Sequence, residues 1–189
     1  MSETVKRIMN LMTLFGLFMT VVLYLCSRKR DSDILFSALI TFGTITYHFV
    51  MRLLVGLIVN RLMHNHADYH RWWFRQRPFE EALYQKLQVK KWKDRMPTYR
   101  PDYFSLKRRS PEEIIQAMCQ AEIVHEVIAA LSLLPILATV WFGAFPVFLI
   151  TSAAAAWADL MFAMLQRYNR PRMIRAAEKS RERLLKNMT

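Results

Sequence analysis

Residues 127–158 read VIAALSLLPILATVWFGAFPVFLITSAAAAWA, thirty-two positions without one charged side chain. As a single straight helix this stretch would extend about 48 Å at 1.5 Å per residue, well beyond a hydrocarbon core of about 30 Å. Pro135, Gly143 and Pro146 offer places to break it, because proline removes a helical donor and glycine tolerates a turn. The stretch therefore reads as a hairpin of two membrane spans, near 123–142 and 145–165, turning at Gly143-Ala144-Phe145-Pro146.

Upstream, residues 8–27 and 34–51 are also free of charge, and after Arg52 the apolar character resumes to Met63. Each is long enough for one span, which predicts spans near 8–27 and 34–57. A soluble all-α protein has no need of three such runs. The fold class expected is thus all-α and integral to the membrane: four transmembrane helices forming one membrane domain over 1–189, with an insert at 61–120 and a basic tail at 166–189. A hydrophobic content of 53% with only four glycines excludes collagen-like and disordered chains. Two cysteines make no disulfide framework, and no Cys/His spacing reads as a metal site. Leu23, Tyr24 and Leu25 precede Cys26 where a cleavage site would place small residues, so the first helix is expected to remain as an anchor.

The net charge of +12 is unevenly spread. Thirteen Lys and Arg lie in 61–120 and eight from Arg167 onward, while the hairpin turn has none. The positive-inside rule then places the insert and both termini in the cytoplasm. Arg28, Lys29 and Arg30 fall on the opposite side in this topology, among outer headgroups. The insert interleaves Arg and Lys with Tyr69, Trp72, Trp73, Phe74, Phe79, Tyr84, Trp92, Tyr99, Tyr103 and Phe104, the composition of a surface in the headgroup layer. Residues 78–93 read as an amphipathic helix with Phe79, Leu83, Leu87 and Val89 on its apolar side. Ser110-Pro111-Glu112-Glu113 is a capped helix start leading into the third span. Basic aromatic stretches also bind single-stranded nucleic acid, but beside four spans the nearer polyanion is lipid, and no nucleic-acid partner is expected.

Ionisable residues at membrane depth are costly and mark function by default. His48, Arg52, Glu122, His125, Glu126 and Asp159 all fall toward the cytoplasmic ends of their spans, which suggests one shared site. Glu122 and His125 are three apart on one helix face, and a carboxylate beside an imidazole is the pairing a general base requires. Snorkelling side chains at a helix entrance explain the same pair equally well. Arg52 is expected to pair with Asp159, since a span must neutralise its charges. Gln166-Arg167-Tyr168-Asn169-Arg170-Pro171-Arg172 puts three guanidiniums at a membrane exit, suited to phosphate or carboxylate. Cys119, one turn before Glu122, could carry an acyl group, though a small buried hydrophobe is its commoner role.

Three segments in order resemble the glycosyl-4,4′-diaponeurosporenoate acyltransferase family, small bacterial membrane proteins of carotenoid glycolipid synthesis. Val89-Lys90-Lys91-Trp92-Lys93 is similar to its basic-Lys-Trp-Lys segment, Ala121-Glu122-Ile123-Val124-His125 to its Ala-Glu-aliphatic-aliphatic-His motif, and residues 166–172 to its Gln-Arg-Tyr-Asn-Arg-Pro-Arg motif. The agreement runs from about residue 70 to 175. It implies transfer of a fatty acyl chain to a hydroxyl of a membrane glycolipid or lipid-linked sugar, with an acyl donor such as acyl-CoA as co-substrate and no cofactor or metal. The residues suggest Glu122 and His125 as the catalytic pair. Lys91, Lys93, Gln166, Arg167, Asn169, Arg170 and Arg172 would bind substrate, and Trp92 and Tyr168 would stack on sugar or nucleotide. His48, Arg52, Glu126 and Asp159 would flank the site. The competing readings are a non-enzymatic membrane module that binds anionic lipid or a protein partner, and a lipid methyltransferase of similar topology, for which no nucleotide fingerprint is present. Neither a Gly-x-Ser-x-Gly elbow nor a His with Asp five residues on is present.

Overall fold

The structure, a computed structural model, describes residues 2–92, 96, 104–106 and 108–188. No strand occurs among the described residues. The helices are α1 (Ser2–Ser27), α2 (Asp33–Met63), α3 (Pro78–Lys86), α4 (Pro111–Leu131), α5 (Thr139–Phe142) and α6 (Phe145–Met188), with 3-10 turns at Trp72–Phe74, Val89–Lys91 and Leu134–Ala138. Four helical stretches are long and apolar enough to cross a membrane: Thr4–Ser27, Asp33–Met63, Pro111–Phe142 and Phe145–Lys179. The all-α, four-span fold class expected from the charge-free runs is the one observed.

The breaks fall where the backbone chemistry demands. Pro135 lies in the 3-10 turn that separates α4 from α5. Gly143 ends α5 at φ +73°, a conformation that L side chains rarely adopt, and α6 begins two residues later with Pro146 in its first turn. α6 does not stop at the predicted span end: it continues to Met188 with Pro171 inside it. The capping box at the start of α4 forms reciprocally. Ser110 N donates to Glu113 Oε2 at 2.8 Å, and Glu113 N donates to Ser110 Oγ at 3.2 Å.

The expected helix over 78–93 differs in extent and in facing. α3 ends at Lys86, Gln88 takes a left-handed φ of +54°, and the chain re-enters a 3-10 turn at Val89–Lys91. Its buried residues are Glu80 and Tyr84, whereas Phe79 and Leu83 are exposed. A carboxylate can be buried once it is paired and hydrogen-bonded, and Glu80 has such partners.

The chain divides into two compact units, Met1–Leu57 with Glu126–Leu160, and Ile58–His125 with Met161–Thr189. In the first, α1 and α2 approach closely: a Cβ on Gly16 would lie 2.5 Å from Thr46 Oγ1, and the hydroxyls of Thr20 and Thr46 are 3.2 Å apart. Tyr47 Oη donates to the Leu131 carbonyl at 2.9 Å. Arg52 pairs with Asp159 and donates to the carbonyls of His48 and Ala155 at 3.1 and 3.3 Å, so the intramembrane charge is neutralised as expected. Leu11, Phe18, Leu137, Val140 and Trp141 face outward, as side chains meeting lipid would. The second unit packs Tyr84, Val89 and Leu165 at its centre, with Leu87, Trp92, Met96, Met164 and Tyr168 against them, and buries Ile114, Ile115 and Cys119 of α4.

Candidate functional site: a carboxylate held by two arginines

Glu122 lies in the second unit with no exposed surface. Arg167 and Arg170 are three apart on α6 and therefore share a face. Each takes one oxygen of this carboxylate: Arg167 Nη1 donates to Oε1 at 2.5 Å, and Arg170 Nη1 donates to Oε2. Arg167 also grips Glu80, from Nη2 to Oε1 at 2.7 Å and from Nε to Oε2 at 3.3 Å. Both guanidiniums also reach backbone. Arg167 donates to the carbonyls of Trp73 and Arg75 at 3.0 and 3.1 Å, and Arg170 Nη2 to that of Phe74 at 2.5 Å. Three consecutive carbonyls are thus held by two side chains. The Arg170 guanidinium stands 5.1 Å over the Phe74 ring and 3.7 Å from Cys119 Sγ.

Two guanidiniums and two carboxylates cancel in formal charge, and every partner is a directional, charge-assisted donor or acceptor. Tyr84 Oη donates to Glu80 Oε2 at 3.0 Å. Burial first, and then the adjacent Glu80 charge, push this phenol well above its ordinary range, so it stays protonated and remains a donor.

The other site residues expected from sequence are placed as follows. His125, half-buried one turn beyond Glu122, stacks on Phe162 with ring centroids 4.7 Å apart and planes 13° from parallel. Gln166 and Asn169 are half-buried on α6. Tyr168 meets Tyr84 edge-on at 5.9 Å. Arg172 Nη2 donates to Tyr168 Oη at 2.5 Å, and its guanidinium lies 4.1 Å from the centre of that ring. Lys91 is exposed on the 3-10 turn, and Trp92 packs in the apolar cluster. Lys93 lies outside the described residues, as do Tyr99 and Tyr103. The six intramembrane polar groups are divided: Glu122 and His125 belong to the second unit, and His48, Arg52, Glu126 and Asp159 to the first. His48 is buried, and among the described residues neither of its ring nitrogens has a hydrogen-bond partner.

Sequence reasoning missed Glu80, Tyr84 and the carbonyls of residues 73–75. The available signal was faint: Glu80 and Tyr84 are four apart, and a tyrosine one turn after a first-turn acid is ordinary. Beside this core lies a cleft of about 330 Å³ lined by Tyr84, Gln85, Gln88, Lys90, Lys91 and Tyr168. Among the described residues no three His, Cys, Asp or Glu side chains are grouped to hold a metal ion.

Four helices able to cross a membrane, and a polar unit built on a buried carboxylate with two arginines, define a multi-pass α-helical membrane protein. The chain belongs to the glycosyl-4,4′-diaponeurosporenoate acyltransferase family, whose model matches residues 70–179. That range contains α3, the 3-10 turn at 89–91, α4 and most of α6, and so every residue of the Glu80–Arg167–Glu122–Arg170 network. The family is one of acyltransferases in carotenoid glycolipid synthesis. No curated protein and no solved structure matches the chain.

Proposed function

We propose that the protein transfers a fatty acyl group to a hydroxyl of a lipid-linked sugar or glycolipid at the cytoplasmic leaflet of a bacterial cell membrane. Both termini and the 61–120 insert face the cytoplasm in this reading, in keeping with the charge distribution. The observation that supports it best is convergence. The segments at 89–92, 121–125 and 166–172 are far apart in sequence, yet all three belong to one unit. Trp92 and Tyr168 join the first to the third through one apolar cluster. Glu122 joins the second to the third through Arg167 and Arg170.

In this mechanism His125 takes the proton of the acceptor hydroxyl as its oxygen attacks the acyl carbonyl carbon. A new C–O ester bond forms, the donor's C–S bond breaks, and the proton passes to the departing thiolate when the donor is a thioester of the acyl-CoA type. The ring contact with Phe162 orients the imidazole for this role. Arg167 and Arg170 act here as the scaffold rather than as free anion receptors, because a phosphate would have to displace Glu122 and the Phe74 carbonyl. We assign the donor phosphates instead to Lys90 and Lys91 at the cleft, with Lys93 beside them in sequence and Arg172 on the Tyr168 side. Gln166 and Asn169 supply hydrogen bonds to the acceptor.

The test is mass spectrometry of total lipids from cells expressing the wild type or His125→Ala at matched levels, with the melting temperature of both purified proteins measured in parallel. A lipid heavier by one fatty acyl, present only with the wild type at unchanged stability, is the expected result and identifies the acceptor. The same lipid in both strains removes the general base. Its absence from both removes acyl transfer and leaves a lipid- or partner-binding module.

A further inference from the structure

The apolar flank of α3 is turned away from the body of its own unit. At 100° per residue, Glu80 and Tyr84 occupy the buried side, and Phe79 and Leu83 form a neighbouring flank that is 61% and 38% exposed. Trp72, 66% exposed, sits in the preceding 3-10 turn. That turn and α3 are tethered to the same guanidinium, since Arg167 holds both the Trp73 carbonyl and Glu80. The turn and the helix that carry these side chains therefore share one anchor. Arg71, Arg77 and Lys86, all exposed, lie within three residues in sequence of Trp72, Phe79 and Leu83; Arg71 is 3.8 Å from Asp68, and the 61–120 stretch carries thirteen basic residues against seven acidic ones.

We infer that α3 and the Trp72–Phe74 turn lie in the interfacial layer of an anionic membrane. Phe79, Leu83 and Trp72 are seated at the headgroup–acyl boundary, and Arg71, Arg77 and Lys86 lie against lipid phosphates. An apolar flank rimmed by cations on a short amphipathic helix is the arrangement that binds such a surface. The chain supplies the surface itself, because spans on either side of the insert hold it beside a bilayer. Solvent and a protein partner fit less well. Water would leave two large apolar side chains on one flank unsheltered, and a protein groove would not call for cations on several sides of it. The inference requires the spans only and stands or falls independently of acyl transfer.

Site-directed spin labelling tests it in the full chain. Phe79→Cys, Leu83→Cys and Glu81→Cys would each be made in a Cys26→Ser background, leaving the fully buried Cys119 in place. The labelled proteins would be reconstituted in vesicles of phosphatidylcholine with phosphatidylglycerol, and collisions measured with oxygen and with a water-soluble nickel chelate. Helix content by circular dichroism would show that each variant folds. The expected result is an oxygen-to-nickel ratio at 79 and 83 several-fold above that at 81, with a smaller contrast in phosphatidylcholine alone. Nickel-dominated collisions at all three positions would place the flank in water and overturn the inference. Exclusion of both reagents from 79 and 83 would place it against protein, a second copy included, and would overturn it equally.

Discussion

Replacing Glu122 by glutamine keeps the shape of the side chain and removes one negative charge from a buried set of four. Arg170 is 2% exposed, and Glu122 is its carboxylate partner among the described residues. Arg167 keeps Glu80. The substitution therefore orphans one buried cation, not two. Breaking a buried pair by removing one partner costs about 3–5 kcal/mol, against a total stability of about 5–15 kcal/mol. For a chain of this size each kcal/mol corresponds to about 2–4 °C of melting temperature, so Glu122→Gln should melt roughly 6–20 °C lower. Near-ultraviolet circular dichroism of the detergent-purified proteins would follow the transition. Trypsin would report local release at Arg71 and Arg75, beside and within the run of held carbonyls. Arg170→Met fills much of the same volume without charge, so the double variant should lose clearly less stability than the two single variants added together. A melting temperature for Glu122→Gln within about 2 °C of wild type would refute the clamp. Should activity nevertheless vanish, Glu122 would be a reactive group and not a structural anchor.

Three further outcomes are expected. Gly16→Ala should destabilise the α1–α2 contact by about 1–3 kcal/mol, because the new methyl meets Thr46 Oγ1, and Thr46→Ala in the same chain should restore most of the loss; thermal melts of the four proteins check both. Tyr84→Phe removes a hydroxyl bonded to a buried carboxylate and should cost about 1.5–3 kcal/mol. Because the folded state raises the Tyr84 phenol above its ordinary value of 10.0, the contribution is full below pH 10 and falls as pH rises beyond it, so the wild-type advantage over Tyr84→Phe should shrink in alkaline melts. His48→Phe replaces a buried ring whose nitrogens lack partners among the described residues with an apolar ring of similar size. It should change the melting temperature little or raise it, whereas a drop of many degrees would show that the imidazole is held by a polar group.

The spans could be read from sequence because a charge-free run of bilayer length needs no knowledge of its neighbours. Gly143 and Pro135 marked the breaks for equally local reasons, and Ser110 with Glu113 carried its own capping partner. The Arg52–Asp159 pair followed from the cost of an isolated charge in a span. The facing of α3 was not local. Hydrophobicity alone would bury Phe79 and Leu83, but a guanidinium eighty-seven residues away makes Glu80 the inward group. The use of Arg167 and Arg170 was hidden for a related reason. Sequence displays the donors of an arginine but not its acceptors, and here those include three backbone carbonyls, which every residue carries. The length of α6 was also understated, since hydropathy marks where a span ends and not where a helix does.

The three carbonyls at residues 73–75 meet their donors one to one, which makes the segment a gauge of chain length. Inserting or deleting a residue between Trp73 and Glu80 would offer Arg167 and Arg170 the wrong peptide while Glu80 still claimed its own place on the same guanidinium. The side chains of Arg75 and Gln76 are exposed and can change without touching this match. The spacing from 73 to 80 should therefore be invariant in length while positions 75 and 76 stay permissive in composition, and a library of single-residue insertions across 61–80 should show a sharp boundary of tolerance at Trp73.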